Sequence, residues 1–415
     1  MRATWSVLAI FTLLSCRAAE LPEPVIPAGV GVNIHFVAGH EKDLDLIAAA
    51  GFKFVRMDFA WGGIERKKGE YDWSGYEELQ ANLDRRGLRA LYILDYSNGL
   101  YERDNASPQH SESVEAFARW AGAAAKHFQG RHVIWEVWNE PNISFWRPKP
   151  DVQQYTALCV AACKAVREAD PAATIVAPAS SGFPWEFLEA LFKAGTLEHL
   201  DAVSVHPYRE YHRGPETAAA DYRKLRELIE RYAPGPKRKL PILSGEWGYA
   251  THQKGVSLET QAAFAARQQL SNLLEGVPLS IWYDWKNDGT DAKDAEHNFG
   301  TVLPDLAAKP SYQAIQLLTR ELSGYRIVRR MPLENDEDYV LVCADGKGME
   351  KLTAWTTGEP HVVNVPIRHP FEKALRIFPG TGPGFPRKLE KGRLTLELSS
   401  LPQYVTLETT SVRGE

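Results

Sequence analysis

Two glutamates, Glu140 and Glu246, stand in stretches of the same grammar. The first stretch, VIWEVWNEPN over 133–142, opens with β-branched and aromatic residues that favour a strand. Pro141 has no backbone N–H with which to continue a ladder, so Asn139 and Glu140 fall where strand gives way to loop. A carboxyl group flanked there by indoles and an amide loses solvation, and lost solvation favours its protonated form at neutral pH. Such a group can act as a general acid. Taken alone, it reads first as an ordinary strand-end glutamate. The second stretch, LPILSGEWGY over 240–249, repeats the pattern: an apolar run, Glu246, then an aromatic and a glycine. Two strand-end carboxyls of this kind suit glycoside cleavage with retention. One protonates the leaving oxygen while the other attacks the anomeric carbon, about 5–5.5 Å from its partner.

On these two motifs the chain resembles the clan of retaining glycoside hydrolases built on (β/α)8 barrels. In that clan Asn-Glu-Pro closes strand 4 with the acid/base, and a second Glu closes strand 7 as nucleophile. The longer string WNEPN, followed by Phe145-Trp146-Arg147-Pro148-Lys149, is similar to glycoside hydrolase family 39, nearest to its bacterial exopolysaccharide-cleaving members. The resemblance implies roles for further residues. Arg56 would hydrogen-bond the nucleophile, and Asn139 would hold the sugar 2-hydroxyl. His206 and Tyr208, from VSVHPY, would orient Glu246 or touch the sugar. A tryptophan at the end of strand 8 would floor the −1 subsite, with Trp285 preferred to Trp282.

These side chains need a scaffold, and the chain supplies the pattern of one. Strands are expected over 29–36, 52–58, 90–96, 133–138, 174–178, 201–206, 240–245 and 279–285. Helices are expected over 41–50, 76–85, 113–128, 152–169, 184–193, 218–232, 258–274 and 311–318. This alternation predicts a TIM barrel, (β/α)8, across 27–320. Barrel enzymes build their sites at the C-terminal ends of the strands. Strand 1 would deliver Asn33 and His35 there, strand 2 Arg56 and Asp58, and strand 3 Asp95 and Tyr96. Phe145 and Trp146 would shape sugar subsites after strand 4. Each has a plainer reading: Arg56 paired with Asp58, His206 as a core imidazole, Asp95 as a loop-capping carboxylate.

Beyond residue 320 short alternating strands separated by Asp-Gly and Pro-Gly turns predict a small antiparallel β-sandwich over 325–412. Residues 1–19 read as an export leader: Arg2, an apolar run near 7–14, then small residues. Its end has two readings. One is cleavage near Ala18 or Ala19; the other is a lipobox at Leu13-Leu14-Ser15-Cys16, whose lipid would be the only expected contact with a membrane. The chain carries a net charge of −5 and no basic run, which argues against nucleic acid as a partner. No Cys/His cluster has metal-ligand spacing, and the expected chemistry needs neither metal nor organic cofactor. The expected partner is an oligo- or polysaccharide. Endo action is preferred; an exo-acting β-xylosidase-like enzyme and a non-catalytic carbohydrate-binding barrel remain as rivals.

Overall fold

The computed structural model describes residues 21–367, 371–378, 389–390 and 392–409. The leader and Cys16 lie outside the described residues. Eight parallel strands close into a barrel: β1 (Val30–Asn33), β2 (Phe54–Ala60), β3 (Arg89–Asp95), β4 (Ile134–Val137), β5 (Thr174–Ser181), β6 (Ala202–His206), β7 (Ile242–Trp247) and β8 (Ser280–Trp282). Pairing of β1 with β8 completes the ring. Helices pack outside it, such as Ser111–His127 and Val152–Ala169. The second of these starts on an Asp151 cap that accepts from the backbone N–H of Gln153 and Gln154. Cys159 and Cys163 lie on it, buried and free.

Side chains alternate along a strand, so every second residue enters the barrel. At the lower end these residues are apolar: Phe54, Leu91, Ile134, Ala202 and Leu243 pack in one cluster, with Leu21 against it. Two positions further along, the same faces present Arg56, Ile93, Glu136, Ser204 and Gly245. The interior therefore changes from apolar to polar on the way to the catalytic end. β5 runs past the expected stop at Pro178, because a register shift between Pro178 and Ser180 accommodates the missing N–H.

The C-terminal part forms two antiparallel sheets. One has the order β13–β16–β11–β10–β9 and the other β12–β15–β14, where β9 is Arg326–Arg330, β10 Asp338–Ala344, β11 Glu350–Thr356, β12 His361–Pro366, β13 Phe371–Phe378, β14 Leu389–Glu390, β15 Arg393–Leu398 and β16 Gln403–Thr409. Val340, Leu352, Val365, Leu394 and Leu396 fill the space between the sheets. β9 is an edge strand of mostly charged residues, which blunts it against further pairing and hides it from a hydrophobic pattern.

The two parts meet at a buried ion pair. Arg267 grips Glu216 with two bonds of 2.7 Å, and the indole N–H of Trp355 donates to the same carboxylate at 2.8 Å. Trp355 is thus a buried brace, stacked on Tyr339 at 4.9 Å. Removing one partner of such a pair strands the other. Glu216→Ala is expected to cost about 3–5 kcal/mol, seen as a lower midpoint in urea unfolding. A midpoint equal to wild type would show that the contact contributes nothing.

Candidate active site

Arg56 is the hub on which the site is assembled. Its guanidinium is almost fully buried and donates to Glu136 at 2.7 Å, Glu246 at 2.5 Å, Asn139 at 2.8 Å and Asn33 at 3.2 Å. Burial works against its charge, but the carboxylates of Glu136 and Glu246 outweigh that and raise its pKa above the ordinary value. Glu136 is wholly buried and also accepts from Ser204 at 2.5 Å. It anchors Arg56 from below, while the opposite edge of the guanidinium reaches the cavity.

Glu246 is held through both oxygens. Oε2 takes the Arg56 bond and Oε1 accepts from the Tyr208 phenol at 2.7 Å. Burial, then the charge of Glu246, pushes the Tyr208 pKa well up, so the phenol keeps the proton it donates. Glu140 has a different environment. Trp138 and Glu140 both adopt positive φ, 68° and 46°, so the chain leaves β4 in a sharp bend. The Glu140 N–H donates to the Ala179 carbonyl at 2.9 Å. Burial raises the Glu140 pKa to about 7, although the Ser181 hydroxyl and Arg56 oppose the shift. One oxygen of Glu140, one of Glu246 and a ring nitrogen of His206 lie within 4.8 Å of one another.

His206 contacts Glu140, not Glu246 as the sequence suggested. Its Nε2 lies 3.2 Å from an Arg56 nitrogen, which can only donate, so Nε2 accepts and Nδ1 carries the hydrogen. Nδ1 then donates to Glu140 Oε1 at 2.9 Å. Burial holds the imidazole pKa down at about 4, which keeps the ring neutral at pH 7 in that tautomer. With Oε1 occupied as an acceptor, Oε2 is left to carry the proton when Glu140 is protonated.

A cavity of about 540 Å³ opens above these groups, lined by Glu140 and Glu246 with Arg56, Asn139, Tyr208 and His35 among others. Tyr96, Phe145, Tyr283, Glu296 and Phe299 complete its walls. Asn139 keeps its place in the wall by donating to the Tyr96 hydroxyl at 3.0 Å.

Four expected residues are elsewhere. Trp285 is 1% exposed, its N–H tied to Asp43 at 2.9 Å. Trp282 is fully buried beside Tyr249. β8 ends at Trp282, so the two-residue alternation that would aim Trp285 inward no longer applies. Trp146 is buried between Trp138 and Tyr155 and supports the loop from behind. Asp95 is fully buried below the cavity, where burial and then Asp58 push its pKa well up. The aromatic rings at the cavity are Tyr96, Phe145, Tyr208, Tyr283 and Phe299 instead. Glu136 and Glu296 were missed. Glu136 had a signal, a lone carboxyl alternating with Ile134 in an otherwise apolar strand; Glu296, in the long loop after β8, had none.

The family model described as cellulase (glycosyl hydrolase family 5) matches residues 26–289. Among solved structures, a family 39 glycoside hydrolase from the gut symbiont Bacteroides cellulosilyticus WH2 gives a TM-score of 0.81 at 26% identity, covering 94% of this chain and 83% of that one. A family 39 β-xylosidase from Caulobacter crescentus gives 0.66 at 19% identity, over 95% and 98% of the two chains. A family 30 subfamily 8 xylanase from Clostridium acetobutylicum gives 0.64 at 14%, over 94% and 98%. The last two are likenesses of fold. No curated protein is matched by sequence.

Proposed function

From the premise that the chain belongs to the cellulase (glycosyl hydrolase family 5) family, we propose that it is an exported β-glycoside hydrolase working by double displacement, with Glu140 as acid/base and Glu246 as nucleophile. The observation that carries this reading is the closeness of two unlike carboxyls. Oxygens of Glu140 and Glu246 approach within 4.8 Å, which suits direct attack and leaves no room for the intervening water of an inverting enzyme. Glu140, protonated on Oε2, gives its proton to the glycosidic oxygen as Glu246 attacks the anomeric carbon. The bond to the leaving group breaks and a glycosyl ester on Glu246 forms. Glu140, now ionised, takes a proton from water, whose oxygen displaces Glu246. Tyr208 and Arg56 hold the nucleophile in line and receive its charge back when it leaves. The free N–H of Asn139 is placed for the sugar 2-hydroxyl.

An endo mode is supported by Phe145, which is 42% exposed at the cavity edge and stacked on Tyr96 at 5.9 Å. Such a ring gives a sugar beyond the cleavage point an apolar face. The exo, β-xylosidase-like mode would use His35, Tyr283 and Glu296, which line the cavity with the two glutamates, as contacts to a terminal sugar. Export rests on the leader over 1–19.

The stereochemistry of the first product tests the mechanism. Proton NMR during hydrolysis of a β-glycoside is expected to show the β-anomer first; an α-anomer first would mean inversion. The pH profile is a second test. Glu140 must be protonated in the first step, so kcat/KM is expected to fall as pH rises through about 7. A profile flat from pH 6 to 9 would remove Glu140 as the acid.

A further inference from the structure

The double displacement uses Arg56 and Glu246, but it gives no task to the charge buried beneath them. Both oxygens of Glu136 accept: Oε2 from Arg56 Nε at 2.7 Å and Oε1 from the Ser204 hydroxyl at 2.5 Å. β7 closes tightly over this layer. A Cβ on Gly245, the residue before the nucleophile, would overlap Ser204 Oγ and lie 2.9 Å from Glu136 Oε1. A methyl group finds no room there, so the layer is dry on that side and its charges act strongly on one another. One guanidinium faces two carboxylates in it, Glu136 and Glu246. The other titratable groups around it bring little charge. Burial holds the Asp95 carboxyl and the Tyr96, Tyr155 and Tyr208 phenols toward their neutral forms by raising their pKa values. It keeps the His206 imidazole neutral by lowering its pKa. Asp58 is half-buried at the cavity, where water screens it. Glu136 is thus the buried charge that balances Arg56.

Resting on the catalytic reading above, we propose that Glu136 is a positioning residue that acts through Arg56, its carboxylate cancelling the guanidinium charge. Arg56 then fixes Glu246 in line without drawing off the negative charge with which it attacks, and without stripping Glu140 of its acid proton. The Arg56–Glu136 pair behaves as a neutral clamp, and one negative charge is left to move through the cycle. It sits on Glu246 before attack. It sits on Glu140 once the glycosyl ester has formed and the proton has gone to the leaving oxygen. Without Glu136 the bare guanidinium makes Glu246 a poorer nucleophile and favours ionised Glu140. Both changes slow the first step, whereas departure of Glu246 in the second becomes easier.

The charge of Glu136 can be separated from its hydrogen bonds. Glu136→Gln keeps the shape: its carbonyl oxygen accepts from Arg56 and its NH₂ donates to the Ser204 oxygen, while the charge is gone. Ser204→Ala does the reverse. Carboxyl-carbon NMR of isotopically labelled glutamates, with Glu140→Gln identifying the Glu140 signal, reads the titration without any substrate. The wild-type midpoint is expected at about 7. Glu136→Gln should lower it by about one pH unit or more, the scale on which an opposite charge at close range acts. The basic limb of kcat/KM should move down with it, and Ser204→Ala should leave the midpoint in place. A residue that only props the barrel floor would lower activity at every pH and move neither. An unmoved or raised midpoint in folded Glu136→Gln would overturn the proposal. Glu136→Met removes the same charge without an amide, so loss of the fold in one variant leaves the other to decide. Loss in both, with Ser204→Ala folded, would make Glu136 a folding residue and overturn the proposal as well. If the midpoint moves while Glu246→Gln still hydrolyses, the charge balance stands and the nucleophile assignment fails. An unmoved midpoint with Glu246→Gln inactive is the reverse.

Discussion

Glu246→Gln is expected to lower kcat by about 10⁴–10⁶-fold, the scale on which loss of a covalent nucleophile is felt, while leaving sugar affinity within about tenfold. The amide has the same shape but cannot attack the anomeric carbon. Its effect on the surroundings is small and predictable. In the wild type one oxygen accepts from Arg56 and the other from Tyr208. A glutamine can keep both: its carbonyl oxygen accepts from Arg56, and its NH₂ donates to the Tyr208 oxygen once the phenol turns its hydrogen away. The fold carries this, because Arg56 stays anchored on Glu136 from inside the barrel. Two assays on one preparation give the answer: hydrolysis of β-glycosides, and calorimetric binding of an oligosaccharide the wild type cleaves. Turnover within tenfold of wild type would sink the nucleophile assignment. Equal and negligible hydrolysis by both proteins, with binding intact, would favour the binding-barrel alternative.

The Arg56–Glu136 pair also shows what the sequence could and could not reveal. The barrel was legible because its strands are apolar on both faces and alternate with amphipathic helices, a pattern each segment displays by itself. Glu140 and Glu246 were legible because Pro141 and the Trp247-Gly248 step mark where strands stop. Arg56 was legible by resemblance and by alternation with Phe54 and Asp58. Its anchor, Glu136, lies 80 positions away on another strand, and only closure of the barrel brings the two together. The tryptophans failed for a complementary reason. A large aromatic at a strand end can face the cavity or the helical shell. Trp285 is turned to the shell by Asp43, a partner contributed from the helix Glu41–Ala49, which no local pattern around Trp285 signals. His206 was placed in the right site but on the wrong carboxyl, since its orientation is set by the lone pair it must offer to Arg56.

Glu140→Gln is expected to lower kcat/KM by about 10²–10⁴-fold, the usual contribution of a general acid, and the loss should depend on the leaving group. A substrate with an activated aryl group departs with little help, so its first step is spared; the second step still lacks the base that deprotonates water. Glycosyl-enzyme should then accumulate, visible as a burst of aryl release, and added azide should speed its breakdown by attacking without a base. No burst and no azide effect would remove Glu140 from both roles. The same variant carries a stability signature with a definite sign. The folded-state pKa of about 7 is above the ordinary value of 4.5, so the native protein binds this proton more tightly than the unfolded chain does. That contribution is present in full below about pH 4.5 and is lost as pH rises through about 7. A shift of this size corresponds to roughly 3–4 kcal/mol between the two limits. Glutamine keeps the Oε1 acceptor for His206 and has no proton to lose, so its stability should lack this decline. Urea unfolding at pH 5 and pH 8 reads the difference: Glu140→Gln should gain on wild type at the higher pH. The group that makes the site an acid catalyst would thereby be shown to weaken the fold at the pH where its proton is given up, whereas an unchanged gap between the two proteins would mean that Glu140 ionises as freely in the cavity as in the unfolded chain.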